Sequence, residues 1–241
     1  MKLLILSDIH GNLNALDAVL KKASQTDIDA MALLGDIVDY GMRSDEVIDA
    51  LKRCSYPVVC NIRGNHENAI TEETYERFSS ERGRASARRT RESLSADSWK
   101  YINETMLSDG KYEFMIGDKR CLAVHGSLRD EYWKSICIDS DTDGYEKYDY
   151  VLSGHSHLPH CFERYSAVDD PRTRNKKKTV FINPGSVGQP RNLNNRAQFA
   201  VLDTETEEIV LSKVEYDIED EQKYFDGSVD EFYKNRLKDG V

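Results

Sequence analysis

The sequence has no long hydrophobic run. Its longest apolar stretch near the N-terminus covers residues 3–6, whereas a signal-peptide core needs roughly 7–15 apolar residues and a membrane-spanning helix about 20. We therefore expect a cytoplasmic protein that does not associate with a membrane.

Cysteine is also scarce. The 241 residues include five cysteines, an odd number without a Cys-x-x-Cys pair, which argues against a disulfide framework and against a zinc knuckle. We expect reduced thiols that lie mostly in the core. The cysteines are Cys54, Cys60, Cys121, Cys137 and Cys161.

Positive charge is in deficit. The chain has 33 lysines and arginines against 43 aspartates and glutamates, which gives a net charge of −10 at pH 7. A surface that is negative as a whole repels polyanions, so we expect no stable nucleic-acid complex. A local basic patch could still bind a small anionic ligand. The sequence does not distinguish a monomer from a homo-oligomer.

The length predicts one domain over residues 1–241. Five short apolar runs are typical of strands buried on both faces, and they lie at residues 3–6, 30–34, 58–60, 121–124 and 150–152. Asn12 and Ser44 are predicted to cap helices between the first three runs. This β-α-β-α-β start implies parallel strands with right-handed crossovers.

The second half of the chain has a different rhythm. Strands separated by short turns are predicted at residues 112–116, 120–124, 160–165, 179–183, 198–203 and 209–216. Antiparallel pairing is therefore expected there, within a mixed α/β fold. Helices are predicted as an insertion at about residues 67–107 and as a C-terminal extension at about residues 217–241.

Polar residues beside glycine follow each of the five apolar runs. These segments are SDIHG at 7–11, GDIVDYG at 35–41, RGNHE at 63–67, VHGS at 124–127 and SGHSH at 153–157. Because α/β proteins place ligands at the carboxyl edge of a sheet, we expect the five segments to meet at one site.

Histidine is concentrated in these segments, which hold five of the six histidines in the chain. Four of these histidines, together with two aspartates and one asparagine, match the composition of a catalytic two-metal site. Asp8 and His10, like His155 and His157, are two residues apart, so an extended backbone would point both members to the same side. Imidazole and carboxylate without thiolate favour Mn, Fe, Zn, Ni or Co, and phosphate esters are the substrates that exploit such a site.

The five ordered motifs resemble those of the calcineurin-like metallophosphoesterases. The segment NPGSVGQPR at residues 183–191 resembles the compact bacterial and archaeal phosphodiesterase-like branch of that family. The resemblance implies a four-layer α/β/β/α sandwich of two mixed sheets with a dinuclear metal site at the strand ends. One metal would be held by Asp8, His10, Asp36 and His157, and the other by Asp36, Asn65, His125 and His155.

The resemblance also implies an activity. Two divalent ions, manganese foremost, would generate a bridging hydroxide that attacks a phosphodiester or phosphoanhydride in line. His66 matches the residue that protonates the leaving oxygen or stabilises the transition state, and Asp39 matches the carboxylate that orients it. The expected substrate is a small phosphate ester or nucleotide.

One departure from the family bears on the substrate. Tyr40 stands where serine/threonine protein phosphatases have a phosphate-gripping arginine, which weakens that alternative and favours diesters. Arg63 precedes the RGNHE asparagine, and Arg88 lies in a basic run that follows the same segment, so both are candidate substrate contacts together with Tyr40. A phosphomonoesterase and a catalytically silent scaffold of the same fold remain alternatives.

Overall fold

The computed structural model describes residues 1–241 as ten strands and seven α-helices. The strands are β1 (Lys2–Leu6), β2 (Ala30–Leu33), β3 (Val58–Asn61), β4 (Lys111–Ile116), β5 (Lys119–Val124), β6 (Tyr150–Ser153), β7 (His160–Ala167), β8 (Lys176–Asn183), β9 (Ala197–Asp203) and β10 (Glu208–Val214). The helices are α1 (Leu13–Ala23), α2 (Ser44–Arg53), α3 (Asn65–Glu72), α4 (Glu81–Ser93), α5 (Ala96–Glu104), α6 (Ile218–Gln222) and α7 (Glu231–Asp239).

The first sheet has the order β10-β9-β1-β2-β3. Strands β1, β2 and β3 are parallel and are connected through α1 and α2, as the sequence predicts, while β9 and β10 add antiparallel pairs. The expectation that every apolar run is buried on both faces is wrong for β3. This strand lies at the sheet edge, and its first residue, Val58, is 45% exposed.

The second sheet has the order β4-β5-β6-β8-β7. Its three central strands are parallel, and β4 and β7 pair antiparallel at the two edges. Both sheets are therefore mixed, which confirms the predicted fold class. The edge position of β7 also explains why Cys161 is exposed, and since Cys137 lies exposed in a loop, only Cys60 and Cys121 are core thiols.

Three apolar clusters hold the layers together. Residues such as Ile5, Ala32 and Leu152 fill the space between the two sheets, while the outer face of the first sheet packs against α1 to α5. The outer face of the second sheet is covered by residues from segment 126–149, which forms turns and contributes Ile136 and Tyr148. No helix in the structure is long and apolar enough to cross a membrane.

The helix starts show how the chain turns near the strand ends. The Asn12 side chain accepts a hydrogen bond from the Ala15 amide at 3.0 Å, so it caps α1 as predicted. The prediction for Ser44 is wrong, because Ser44 is the first residue of α2 and Arg43 precedes it. The Ser44 hydroxyl instead accepts a hydrogen bond from the Asp39 amide at 3.2 Å, which fixes the turn after β2.

Candidate metal centre

The polar residues after β1, β2 and β6 have a strained backbone. Five of them have a backbone angle φ between 50° and 64°, which lies in the left-handed region that residues other than glycine rarely adopt. These residues are Asp8, His10, Asp36, His155 and His157. The prediction that the Asp8/His10 and His155/His157 pairs have an extended backbone is therefore wrong. Such strain persists only where the surrounding structure holds it, and it concentrates at functional sites.

The first group of candidate ligands is formed by Asp8, His10, Asp36 and His157. All four side chains are buried, and one potential ligand atom from each lies within 4.8 Å of the others. His10 Nε2 and His157 Nε2 are 3.2 Å apart, and His157 Nε2 is 3.2 Å from Asp8 Oδ1. Neither carboxylate oxygen of Asp8 has a hydrogen-bond partner, although both are buried. Buried carboxylate oxygens left free beside inward-facing imidazoles fit a cation.

The second group shares Asp36 with the first and adds His125 and His155. His125 Nε2 lies 3.2 Å from Asp36 Oδ2 and 3.0 Å from Asn65 Oδ1. The same Asn65 oxygen lies 2.8 Å from His155 Nδ1. Asn65 thus completes a set of two imidazoles, one carboxylate and one amide oxygen, and Asp36 lies between the two sets.

Backbone carbonyls orient three of these imidazole rings. Nδ1 of His10, His125 and His157 lies 3.2, 2.7 and 2.6 Å from the carbonyl oxygens of Val38, Leu34 and Gln189. A ring that donates Nδ1–H to a carbonyl presents a free electron pair at Nε2. All three Nε2 atoms face the two groups of ligands, which is the tautomer that binds a metal ion.

The site is electrostatically uneven. Burial opposes ionisation of Asp36, but the surrounding histidines, His125 foremost, hold its pKa well below its usual range. Burial also opposes protonation of His125, yet Asp36 outweighs it and raises the pKa of that ring to about 9. His155 has a pKa lowered to about 4 by burial and by the charge of His125. Burial, followed by repulsion from His66, lowers the pKa of His10 well below its usual value. Strongly shifted pKa values that gather in one cleft are typical of a functional site.

His66 lies beside the two groups without belonging to them. Its Nδ1 is 2.6 Å from Asp39 Oδ2, and its Nε2 is 3.9 Å from Asp36 Oδ2. Helix α4 holds Asp39 in turn, because the hydroxyls of Ser86 and Thr90 donate to Asp39 Oδ1 at 2.5 and 2.8 Å. Burial would lower the pKa of His66, but the nearby carboxylates of Asp36 and Asp39 raise it.

Glu67 organises the turn that carries Asp36. It lies in the RGNHE segment, but the sequence alone assigned it no role. Its buried carboxylate accepts backbone hydrogen bonds at 2.7 to 3.1 Å from Asp36, Ile37, Val38 and Gly64. Gly64 is required at this point, since a Cβ atom there would lie 2.1 Å from Asp36 Oδ1. The GNHE segment therefore positions the shared aspartate as well as supplying its own side chains.

A cavity of about 230 Å³ opens onto both groups of ligands. Tyr40 lines it, as expected, and its ring lies 4.4 Å from His66 and 4.6 Å from His10 between ring centroids. The remaining wall was missed by the sequence motifs. It is formed by Arg77, Phe78, Ser79, Trp133 and Arg191. Arg191 ends the NPGSVGQPR segment, which is the one signal that could have identified it.

Two candidate substrate contacts lie outside the cavity lining. Arg63 donates from Nε and Nη2 to the Ile102 carbonyl oxygen at 3.2 and 3.1 Å, because a guanidinium is attracted to the free carbonyls at the end of α5. Arg88 is exposed on α4, forms an ion pair with Glu81 at 3.3 Å and packs over the Tyr75 ring.

Comparison with known proteins identifies the family of the chain. The model of the calcineurin-like phosphoesterase superfamily domain matches residues 1–207. The uncharacterized protein MJ0912 of Methanocaldococcus jannaschii is 27% identical over 237 residues, which cover 97% of this chain and 92% of that protein. Phosphodiesterase YfcE of Escherichia coli K12 is 22% identical over 218 residues, 87% of this chain and 91% of that protein.

Solved structures give the same result. A metallophosphoesterase from Sphaerobacter thermophilus is 29% identical, with a TM-score of 0.75 over 100% of both chains. The hypothetical protein PH1004 from Pyrococcus horikoshii OT3 is 23% identical, with a TM-score of 0.81 over 100% of this chain and 98% of that one. The chain therefore belongs to the calcineurin-like phosphoesterase superfamily and is a metal-dependent phosphoesterase.

Proposed function

We propose that the protein hydrolyses a phosphodiester or phosphoanhydride bond at a dinuclear metal centre. The observation that carries this proposal is the position of Asp36, whose buried carboxylate belongs to both groups of candidate ligands. A carboxylate between two sets of imidazoles is what two neighbouring cations require, and paired cations about 3.5–4 Å apart are typical of phosphate-ester hydrolases.

The proposed ligands follow from the same contacts. Asp8, His10, Asp36 and His157 hold one divalent ion, and Asp36, Asn65, His125 and His155 hold the other. Two such ions, with manganese the first choice, would activate water as a nucleophile and withdraw charge from the phosphoryl oxygens.

His66 is the proposed catalytic group next to the ions. The Asp39 carboxylate accepts the Nδ1 proton at 2.6 Å, which leaves Nε2 to face the cavity. From there a protonated ring donates its Nε2 proton to the departing oxygen, or stabilises charge on the phosphoryl group. Asp39 acts through His66 as a positioning residue, and Ser86 and Thr90 fix its orientation.

A phosphodiester is favoured over a monoester for two reasons. Tyr40 supplies an uncharged ring where a phosphatase would need a second cation for the extra negative charge of a monoester. The curated Escherichia coli relative is named a phosphodiesterase. We also infer that residues 1–241 act as one cytoplasmic domain on a small phosphate ester or nucleotide, with α3 to α5 inserted beside the site and α6 and α7 as an extension.

Steady-state hydrolysis of an aryl phosphodiester and the matching monoester tests the proposal. We expect Mn²⁺-dependent cleavage that favours the diester and disappears after chelator treatment. Preference for the monoester would overturn the argument from Tyr40. No cleavage of either ester, or of a dinucleoside polyphosphate as the phosphoanhydride, by protein shown to contain two metal ions per chain would refute the proposed activity and favour a silent scaffold.

A further inference from the structure

Three arginines gather on the Tyr40 side of the cavity, and none of them is paired with an aspartate or a glutamate. They come from distant parts of the sequence: Arg82 from α4, Arg191 from the loop after β8, and Arg236 from α7. None of the three lies within 4.0 Å of an aspartate or glutamate oxygen as an ion pair, whereas Arg84, Arg88 and Arg91 on α4 are each paired with a glutamate. This clustering is unusual in a chain with a net charge of −10.

Arg191 is the member of this cluster that reaches the metal centre. It lines the cavity together with Asp36, His66 and His157. Its side chain makes no hydrogen bond, and its buried Nε has no partner. The other arginine in the cavity, Arg77, is already paired with Asp130 at 2.5 Å. A guanidinium with five donors that makes no hydrogen bond within the protein is available to bind an anion.

Helix α7 brings the other two arginines close to Arg191. Arg82 and Arg236 lie over the same Phe232 ring, with their Cζ atoms 3.9 and 4.8 Å from its centroid. The neighbouring Tyr233 ring stacks on Tyr40 at 4.3 Å, which attaches the helix to the cavity wall.

Arg236 also feels the charge of its neighbours. It is only 8% exposed, and its Nε donates at 2.5 Å to an oxygen of Val241, the last residue of the sequence. Burial, followed by the charge of Arg191, lowers the pKa of Arg236 to about 10. Like charges held together in this way repel each other, and an anion bound between them would offset that repulsion.

We propose that Arg191, supported by Arg82 and Arg236, forms a second anion subsite that binds a phosphoryl group of the substrate next to the one under attack. This proposal rests on the proposed function and narrows it, because a simple diester has no second phosphoryl group. The substrate class that uses the subsite is a phosphoanhydride, such as a nucleoside polyphosphate. Arginine suits this role because its fork of donors matches two phosphate oxygens at once.

Calorimetric binding of inorganic phosphate and of methylenediphosphonate to the Mn²⁺-loaded protein tests this subsite. Methylenediphosphonate carries two phosphoryl groups and has no hydrolysable bridge, so binding is measured without turnover. We expect the wild-type protein to prefer it over phosphate, and Arg191→Gln to reduce that preference roughly tenfold or more. Arg82→Gln should reduce it by about fivefold or less, because Arg82 is exposed.

Arg84→Gln is the matched control, since Arg84 lies on the same helix and is paired with Glu81 at 2.7 Å. It should leave the preference unchanged. An equal loss of affinity for both ligands in Arg191→Gln would place Arg191 on the attacked phosphoryl group and overturn the second subsite, as would unchanged binding. If the protein hydrolyses neither a phosphate ester nor a phosphoanhydride but prefers methylenediphosphonate through Arg191, the proposed function fails and the subsite stands.

Discussion

The ligand groups and the wall of the cavity around them are built in different ways. The ligands follow strands directly, on short turns whose strain is held by hydrogen bonds such as those from four backbone amides to Glu67. The cavity wall, including Arg77, Trp133 and Arg191, lies on longer connections and is closed by α7, near the end of the chain. A ligand site on short turns after strands, inside a wall built on longer loops, suits an enzyme whose chemistry is constant and whose substrate is set by loops.

The largest effect is expected where the two groups of ligands meet. Asp36→Asn removes the charge that both groups share, so metal content and activity should fall together. The loss of activity should exceed the roughly 10- to 100-fold typical of residues that only orient a ligand. Plasma mass spectrometry measures metal ions per chain, and Asp17→Asn on the exposed side of α1 is the control. Two ions retained in Asp36→Asn would contradict the shared role of Asp36.

A smaller effect is expected at the boundary between the ligands and the wall. His66→Ala should keep both metal ions and lower kcat by about 10² or more, because a positioned proton donor is lost. Asp39→Asn should lower kcat less, since the ring remains but its tautomer is no longer fixed.

The double variant separates the two roles. Asp39→Asn added to His66→Ala should cost almost nothing further, because a positioning residue acts only through its partner. Fully additive losses would show that Asp39 acts independently of His66. Loss of metal ions from His66→Ala would make His66 a ligand instead of a proton donor.

The metal ligands could be predicted from the sequence, whereas most of the cavity wall could not. Asp8, His10 and the other ligands were identifiable because each lies in a polar segment that follows a strand, and such a segment is a local sequence pattern. Their left-handed backbone conformation could not be predicted, because it depends on close contacts between distant segments. At Gly188, for example, a Cβ atom would lie 1.7 Å from the Ile9 carbonyl oxygen. Strand order was also beyond local patterns, which is why the exposure of Val58 came as a correction.

The position of Arg191 in the cavity wall could be found only from long-range contacts. Its position depends on backbone hydrogen bonds from Val187 to Ser7 and from Gly188 to Asp8, both 3.0 Å, which pin a late loop onto the end of β1. These partners are about 180 residues apart in the sequence. No spacing rule links them, so only the folded chain brings Arg191 to the ligands.

The smallest predicted effect concerns the attachment of the C-terminal helices that close the wall. Glu221 on α6 is buried, accepts a hydrogen bond from the Asn14 amide at 3.1 Å and lies 3.4 Å from Arg43 Nη1. Burial, only partly offset by these contacts, raises the pKa of Glu221 to about 7 from 4.5. The folded chain therefore holds a proton that the unfolded chain releases between about pH 4.5 and pH 7. Stability from this group is present below that window and is lost as pH rises through it.

Glu221→Gln should remove the loss of stability that accompanies ionisation of Glu221 as pH rises. At pH 8.5 the variant should have a free energy of unfolding about 1–3 kcal/mol above wild type, and at pH 4.5 the two should agree. Urea denaturation at both pH values measures this, with Glu219→Gln, an exposed residue of the same helix, as the control. A variant equally less stable at both pH values would mean that the Glu221 carboxylate holds α6 as an ion pair with Arg43. The C-terminal helices that close the wall would then be attached by a charged contact instead of by a buried neutral carboxyl group.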